Sequence, residues 1–211
     1  PALEGVDALY LNFITGLEMD LETARGIRDR FSGPVYADLH ALFAGISPEG
    51  FRFPRELPGL GSWLRAFPAV QVNEEEFNLF APKGIDPWER AAAHLGPELR
   101  LIAVTLGPEG SGYVVGPGFL PDPFTWRQDA NPPESQKRSL SGRVSSSGGS
   151  DSGDPTGCGD VWGATFFARL LSGDSLEEAM ACANRNAGAA VGYRGARGLH
   201  LHLHLLDRRG P

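Results

Sequence analysis

The sequence predicts an α/β protein with a mostly parallel sheet covered by helices, and three observations carry that prediction. Short apolar runs of the kind found in buried strands alternate with segments of helical periodicity. The polar residues Asn12, Asp38, Asn73 and Thr105 each fall at or just past the end of one such run. The last third of the chain is helical and opens on the glycine-bracketed segment Gly157-Cys158-Gly159-Asp160.

Taken in order, strands are expected at Ala8 to Phe13, Val35 to Ala37, Val70 to Val72 and Leu101 to Leu106, short apolar runs that look like buried strands. Between them, Asp20 precedes a helix running to about Phe31, and Leu60, Trp63, Leu64 and Phe67 recur at helical spacing. Asp86-Pro87-Trp88-Glu89 supplies a cap residue, a proline at the first helical position and a glutamate placed to close a capping box. After Thr105, the glycines of Leu106 to Gly112 form a turn returning into Tyr113-Val114-Val115. One helix is then expected from Asp160 to Leu171. A second, opened by the Ser175/Glu178 capping box, carries Leu176, Ala179, Met180, Ala183, Ala187 and Val191 on its apolar stripe. His200, His202 and His204 alternate with leucines, which reads as a terminal strand with its histidines outward rather than as a metal site.

Residues 121–153 break this pattern. Proline, serine, glycine and charged residues dominate there, ending in Ser145 to Ser150, and a disordered insert is expected over a lid, because structureless loops beyond about 15 residues are uncommon in compact domains. The 211 residues otherwise suit a single domain, 1–211. A net charge of -7 argues against a general nucleic-acid or membrane-surface binder. Cys158 and Cys182 lack the spacing of a zinc site and read as reduced thiols, which suits a cytoplasmic protein. No run approaches the roughly 20 apolar residues of a membrane span, and the first residues lack the regions of a signal peptide.

The chemistry concentrates in Asp154-Pro155-Thr156-Gly157-Cys158-Gly159-Asp160. At a helix start, backbone N–H groups of Gly157, Cys158 and Gly159 are placed to be free for an anion, favoured further by the helix dipole. A carboxylate beside an anion hole is electrostatically odd unless it removes a proton from an attacking hydroxyl as a phosphoryl group arrives.

This segment, with Val161-Trp162-Gly163-Ala164 after it, resembles the C-terminal signature of the ribokinase-like, or PfkB, carbohydrate kinases. Asn73-Glu74-Glu75-Glu76 is similar to the N-x-x-E motif of that family, Val104 to Gly107 with Gly110 to its nucleotide loop, and Ala183-Asn184 to Gly195-Ala196 to its adenine-side helix and following loop, all in the family's order. The resemblance implies a three-layer ribokinase-like fold, with the N-terminal part, the lid and most sugar contacts missing from this chain. It implies Asp160 as the base, the backbone of Gly157 to Gly159 as anion hole, and Thr105, Gly107, Gly110 and Asn184 along the ATP. Asn184 has a rival reading as a buried helix polar satisfied by neighbours. Asn73 and Glu76 would place Mg2+, largely through water, with Asp38 near the phosphates; His40 has no assigned role. Asp154 and Thr156, with the loop near Gly195, would lie beside a monovalent cation such as K+.

The activity so implied is transfer of the γ-phosphate of ATP to a hydroxyl of a sugar or sugar acid. A nucleoside or vitamin-precursor acceptor and an inactive nucleotide-binding module are the alternatives. Expected partners are ATP and a small-molecule acceptor, with no nucleic acid and no membrane, and a homodimer remains open.

Overall fold

The computed structural model describes residues 3–128, 138–146, 153–193, 195 and 197–207, with the backbone alone from 204 onward. Of the expected insert, 129–137 and 147–152 lie outside the described residues, as do Ala196 and the side chain of His204. The chain divides into two compact units, Pro1–Thr105 with Gly112–Gly142, and Leu106–Ser111 with Arg143–Pro211.

The first unit begins with β1 (Leu9–Asn12), α1 (Leu21–Arg30) and β2 (Val35–Asp38). Asp20 starts α1 by accepting the Thr23 N–H at 2.8 Å, and Arg28 and Arg30 in the last turn suit the negative end of the helix dipole. A short 3-10 turn, His40–Phe43, leads into an antiparallel hairpin of β3 (Ala44–Ile46) and β4 (Arg52–Pro54). The apolar pattern gives no warning of this hairpin. Its signal is the turn chemistry of Ser47-Pro48-Glu49-Gly50, where Gly50 takes φ 87°, and Ile46, Phe51 and Phe53 remain exposed instead of entering the core.

The chain continues through α2 (Leu60–Leu64), β5 (Ala69–Asn73), α3 (Glu74–Asn78), α4 (Pro87–Ala92) and β6 (Leu101–Thr105). Asp86 caps α4 by accepting the Trp88 N–H at 2.9 Å, two residues on. The expected capping box does not form there, because the Asx turn takes the carboxylate first.

β1, β2, β5 and β6 are parallel neighbours, with Leu9 opposite Val35, Tyr36 opposite Ala69 and Ala69 opposite Leu101. All of β2, and β5 and β6 up to their last residues, are buried, which is why they read as mostly apolar runs. Phe13 meets Trp63 edge-on at 5.6 Å and Phe67 at 6.1 Å, filling one face. The same register sets Asn12 opposite Asp38 and Asn73 opposite Thr105, so the four polar residues form the carboxyl edge of the parallel strands.

β7 (Gly110–Val115) and β8 (Leu140–Ser145) complete a six-stranded sheet in the order β1-β2-β5-β6-β7-β8, and both strands run through the two units. β8 falls within the stretch expected to be disordered. In that stretch Asp122 also caps a 3-10 turn, Pro123–Thr125, and the almost fully buried Trp126 donates its indole N–H to the Leu120 carbonyl at 3.1 Å. The Arg127 guanidinium hydrogen-bonds the carbonyls of Phe31 and Arg28. Order at 120–128 thus rests on one aromatic anchor and one cation, neither of which produces a periodic pattern.

In the second unit, α5 (Cys158–Leu171) and α6 (Leu176–Val191) form a helix pair. Phe166, Phe167 and Leu170 from one, and Leu176, Ala179, Met180 and Ala183 from the other, are buried. The Ser175/Glu178 capping box forms as the sequence predicts. α7 (Leu199–Asp207) corrects the expected terminal strand. The alternation of leucine and histidine has period two, but no β-branched or aromatic residue supports a strand there, and leucine is a good helix former. His202 lies against Tyr193 at 5.0 Å, and Leu201 is left exposed. Among the described residues no helix is long and apolar enough to cross a membrane.

Candidate active site

In the first unit, polar chemistry gathers at the carboxyl edge of β2 and β5. Asn73 ends β5 and caps α3, its Oδ1 accepting the Glu76 N–H at 2.9 Å. The Glu76 carboxylate reaches back, with Oε2 accepting the Asn73 N–H at 2.9 Å and Oε1 the Asn73 side-chain amide at 2.8 Å. This is a capping box, and it buries a glutamate at the tip of the sheet. His40 Nδ1 lies 2.6 Å from the same Oε1. Asp38 accepts the His40 N–H at 3.1 Å and the Gln71 amide at 2.8 Å, and the buried Tyr36 hydroxyl donates to Gln71 at 2.9 Å. Burial, then the charges of Tyr10 and Asp38, holds the Tyr36 phenol well above its ordinary pKa, so it stays a protonated donor.

The structure therefore brings Asn73 and Glu76 into direct contact and sets Thr105 across from Asn73 in register. Tyr36 and Gln71 are residues that sequence reasoning missed, and His40, named there without a role, joins them. Gln71, a lone polar residue inside an apolar strand, was the available signal, because a buried amide needs partners.

For Mg2+, the donor set consists of hard oxygens. Among the described residues no three histidine, cysteine, aspartate or glutamate side chains gather as a metal cage. The Glu76 carboxylate and the Asn73 amide oxygen are hard donors of the kind that suit Mg2+. Asn73 Oδ1 accepts the Glu76 N–H, and the Glu76 carboxylate supplies the negative charge of the pair.

In the second unit, the turn from Asp154 enters α5. Asp154 N–H donates to the Val191 carbonyl at 3.1 Å near the end of α6, ahead of Gly195, and Asp154 Oδ1 accepts the Thr156 N–H at 3.0 Å. Gly157 caps α5 in the left-handed region, φ 82° and ψ -2°, where a residue with a Cβ would be strained. A Cβ built there would lie 3.7 Å from Asp160 Oδ2, so the carboxylate sits over its own helix start.

One expectation is corrected here. The Cys158 N–H is not free but donates to the Pro155 carbonyl at 3.1 Å, because the tight turn ahead of the helix consumes it. Burial, followed by Asp154 and Asp160, pushes the Cys158 thiol above its ordinary pKa, which argues against a thiolate nucleophile.

Gly107 and Gly110, at φ 57° and 104°, bound the turn between β6 and β7, and Leu106 N–H donates to the Gly110 carbonyl at 2.9 Å. A Cβ on Gly110 would stand 2.3 Å from the Val144 carbonyl oxygen. That same oxygen accepts the Asn184 amide at 2.9 Å, and Asn184 Oδ1 accepts the Trp162 indole N–H at 2.7 Å. Gly110, Val144 and Asn184 thus meet in one cluster, in which Asn184 is a buried helix polar tied to two neighbours. Val144 lies on β8, where the only sequence signal was a weak alternation setting Gly142 and Val144 inward between exposed Ser141, Arg143 and Ser145.

No family model matches the sequence, and no curated protein matches it either. Solved structures do match. The chain is similar to the ribokinase of Thermotoga maritima (18% identity, TM-score 0.60), covering 96% of this chain and 57% of that one. It is similar to the adenosine kinase of Sinorhizobium meliloti (22%, TM-score 0.64), covering 97% and 54%. It is also similar to a protein described as ribokinase II from E. coli in complex with ATP and Mg2+ (18%, TM-score 0.62), covering 98% and 60%. The fold is the ribokinase-like α/β fold with a mostly parallel sheet flanked by helices. The chain spans less than two thirds of the length of these proteins.

Proposed function

We propose that this chain is the nucleotide-binding and catalytic portion of a ribokinase-like (PfkB-type) kinase that transfers the γ-phosphate of ATP to a hydroxyl of a sugar or sugar acid. The observation that carries the reading is the entry to α5. A left-handed Gly157 cap opens the helix, and Asp160 stands in the first turn with its carboxylate folded over that cap. In this reading Asp160 takes the proton of the acceptor hydroxyl while its oxygen attacks the γ-phosphorus, and ADP leaves. The start of α5 and its dipole stabilise charge developing on the transferred group.

Gly107 and Gly110 let the nucleotide approach the backbone, with Thr105 at the strand end before them. Mg2+, when bound with ATP, neutralises phosphate charge; Glu76, braced by Asn73, would hold it through water. Asp154 and Thr156 are proposed beside a K+ site, for which the bond from Asp154 to the end of α6 is the supporting geometry. Asn184 serves the nucleotide end of the protein through the Val144 and Trp162 contacts that fix α6. The chain is proposed as one cytoplasmic catalytic domain.

The test is ADP release from the whole protein with Mg2+, ATP and a panel of sugars, sugar acids and nucleosides. Asp160→Asn is expected to lower turnover by about a thousandfold or more with nucleotide affinity nearly kept. Normal turnover by that variant sinks the mechanism. A nucleoside acceptor is the second reading, supported by the likeness to the Sinorhizobium meliloti adenosine kinase and to a Burkholderia thailandensis nucleoside kinase in complex with inosine. Nucleotide binding without turnover on every acceptor would identify an inactive module.

A further inference from the structure

We propose that His40 is a positioning residue for Glu76, aiming its carboxylate at a nucleotide-bound divalent cation. The proposal rests on the reading of Glu76 as the group that holds Mg2+ through water.

Three observations carry it. First, His40 is fastened at both ends: its backbone N–H donates to Asp38 Oδ1 at 3.1 Å, and its Nδ1 lies 2.6 Å from Glu76 Oε1. An ionised carboxylate only accepts, so Nδ1 carries the proton and donates. Second, Asp38 is itself fixed, since Gln71 donates to its Oδ2 at 2.8 Å and the Tyr36 hydroxyl donates to Gln71 at 2.9 Å. The imidazole is therefore mounted on a braced strand end rather than on a loose loop. Third, the donors to Glu76 are unevenly shared. Among the described residues Oε1 receives both Asn73 Nδ2 at 2.8 Å and His40 Nδ1, while Oε2 receives only the Asn73 N–H at 2.9 Å. A carboxylate oxygen accepts about two hydrogen bonds, so Oε1 is saturated and Oε2 keeps the remaining acceptor capacity.

The capping box alone would fix the glutamate for the purpose of starting α3. The extra donor from a different strand end is more than a cap needs. It locks the carboxylate plane and directs the open position of Oε2, as outer partners of metal-holding groups do. The His40 side chain is 59% exposed and that of Glu76 8%, so the imidazole also covers the edge of the buried carboxylate.

The experiment uses the whole protein and Mn2+ as a paramagnetic stand-in for Mg2+. Electron paramagnetic resonance measures Mn2+ affinity in the presence of ATP, and calorimetry measures ATP binding with EDTA present. In His40→Ala, Mn2+ affinity of the ATP-loaded protein is expected to fall about tenfold or more, with metal-free ATP affinity held within about twofold. His40→Gln, which keeps an N–H donor toward Glu76, is expected to restore Mn2+ affinity to within about threefold of the parent. Thermal melting confirms that each variant is folded.

Unchanged Mn2+ affinity in His40→Ala, an equal loss with and without metal, or a His40→Gln variant as weak as His40→Ala overturns the positioning role while leaving the kinase reading intact. A parent protein that shows no metal-dependent nucleotide binding overturns the reading of Glu76, and the proposal with it.

Discussion

The indole N–H of Trp162 and the side-chain oxygen of Asn184 are joined at 2.7 Å in the interior of the α5 and α6 pair. Asn184 passes the connection on to the Val144 carbonyl at 2.9 Å, so one amide ties two helices and a strand. Asn184→Ala leaves a buried indole N–H and a strand carbonyl without that partner, each worth about 1–3 kcal/mol when unsatisfied. We expect a loss of roughly 2 kcal/mol or more in urea unfolding at unchanged m-value. Trp162→Phe in the same background should show a coupling energy of about 1 kcal/mol in a double-mutant cycle. Strict additivity of the two variants contradicts this bond as the link between the helices.

The two glycines of the β6–β7 turn should behave differently. At Gly110, φ 104° and ψ -122° lie outside the range of side-chain-bearing residues, and a Cβ would meet the Val144 oxygen at 2.3 Å and the Ser146 nitrogen at 2.5 Å. Both are backbone atoms and cannot swing away. Gly110→Ala should therefore cost about 3 kcal/mol or more and loosen β8, visible as faster amide exchange there. At Gly107, φ is 57° with nothing within 4 Å of a built Cβ, so Gly107→Ala should cost only about 1 kcal/mol. Because that methyl group has room, any loss of ATP affinity in Gly107→Ala beyond about threefold reports on ligand approach rather than on folding. Equal stability of the two variants would contradict the tight contact at Gly110.

What could be read in the sequence, and what could not, follows from where the order originates. β2, β5 and β6 were legible because burial on both faces favours a mostly apolar run. Asn73 and Glu76 were legible through the resemblance of their spacing to the N-x-x-E motif, and the structure adds that the same pair forms a local helix cap. The role of Asp160 as a first-turn carboxylate was legible because helix-start chemistry is local. By contrast, β8 is held by contacts to residues such as Gly110 and Asn184, 30 to 40 positions away, and its own side chains carry only a faint alternation. His40 was visible as a residue, yet its contact with Glu76 joins a partner 36 positions downstream. The α7 helix was misread because a period-two pattern in leucine and histidine carries no β propensity.

His94 gives a pH dependence with a definite sign. Its Nε2 is buried and has no hydrogen-bond partner among the described residues, and its ring stands edge-on to Phe80 at 6.5 Å. Burial, then the charges of Arg90 and Arg65, lowers its pKa below the ordinary 6.5. The unfolded chain therefore takes up a proton at a pH where the folded chain resists it, and stability falls as pH drops through 6.5 toward the lower folded value. Melting temperatures compared at about pH 8 and about pH 5 should show a smaller acid loss in His94→Leu than in the parent. Carboxylate effects are common to both proteins, so the difference isolates this imidazole. Identical acid losses would show that His94 does not resist protonation in the folded chain.

Glu76→Gln separates the carboxylate's structural duty from its proposed role with Mg2+. Among the described residues Glu76 receives three donors, from Asn73 N–H, Asn73 Nδ2 and His40 Nδ1, all directed at acceptor oxygens. Glutamine offers one oxygen and one NH2, so whichever way it turns, an N–H must face a donor. With the residue only 6% exposed, water cannot readily relieve the conflict. We expect Glu76→Gln to lose about 1–3 kcal/mol of stability in EDTA, where no divalent ion is present. His40→Ala added to Glu76→Gln should recover little of that loss, since the glutamine oxygen best faces the two donors at Oε1 and the opposed donor is then the Asn73 N–H. If the single variant is as stable as the parent in EDTA, the capping box does not constrain α3, and any effect on catalysis would have to be assigned to the carboxylate charge alone.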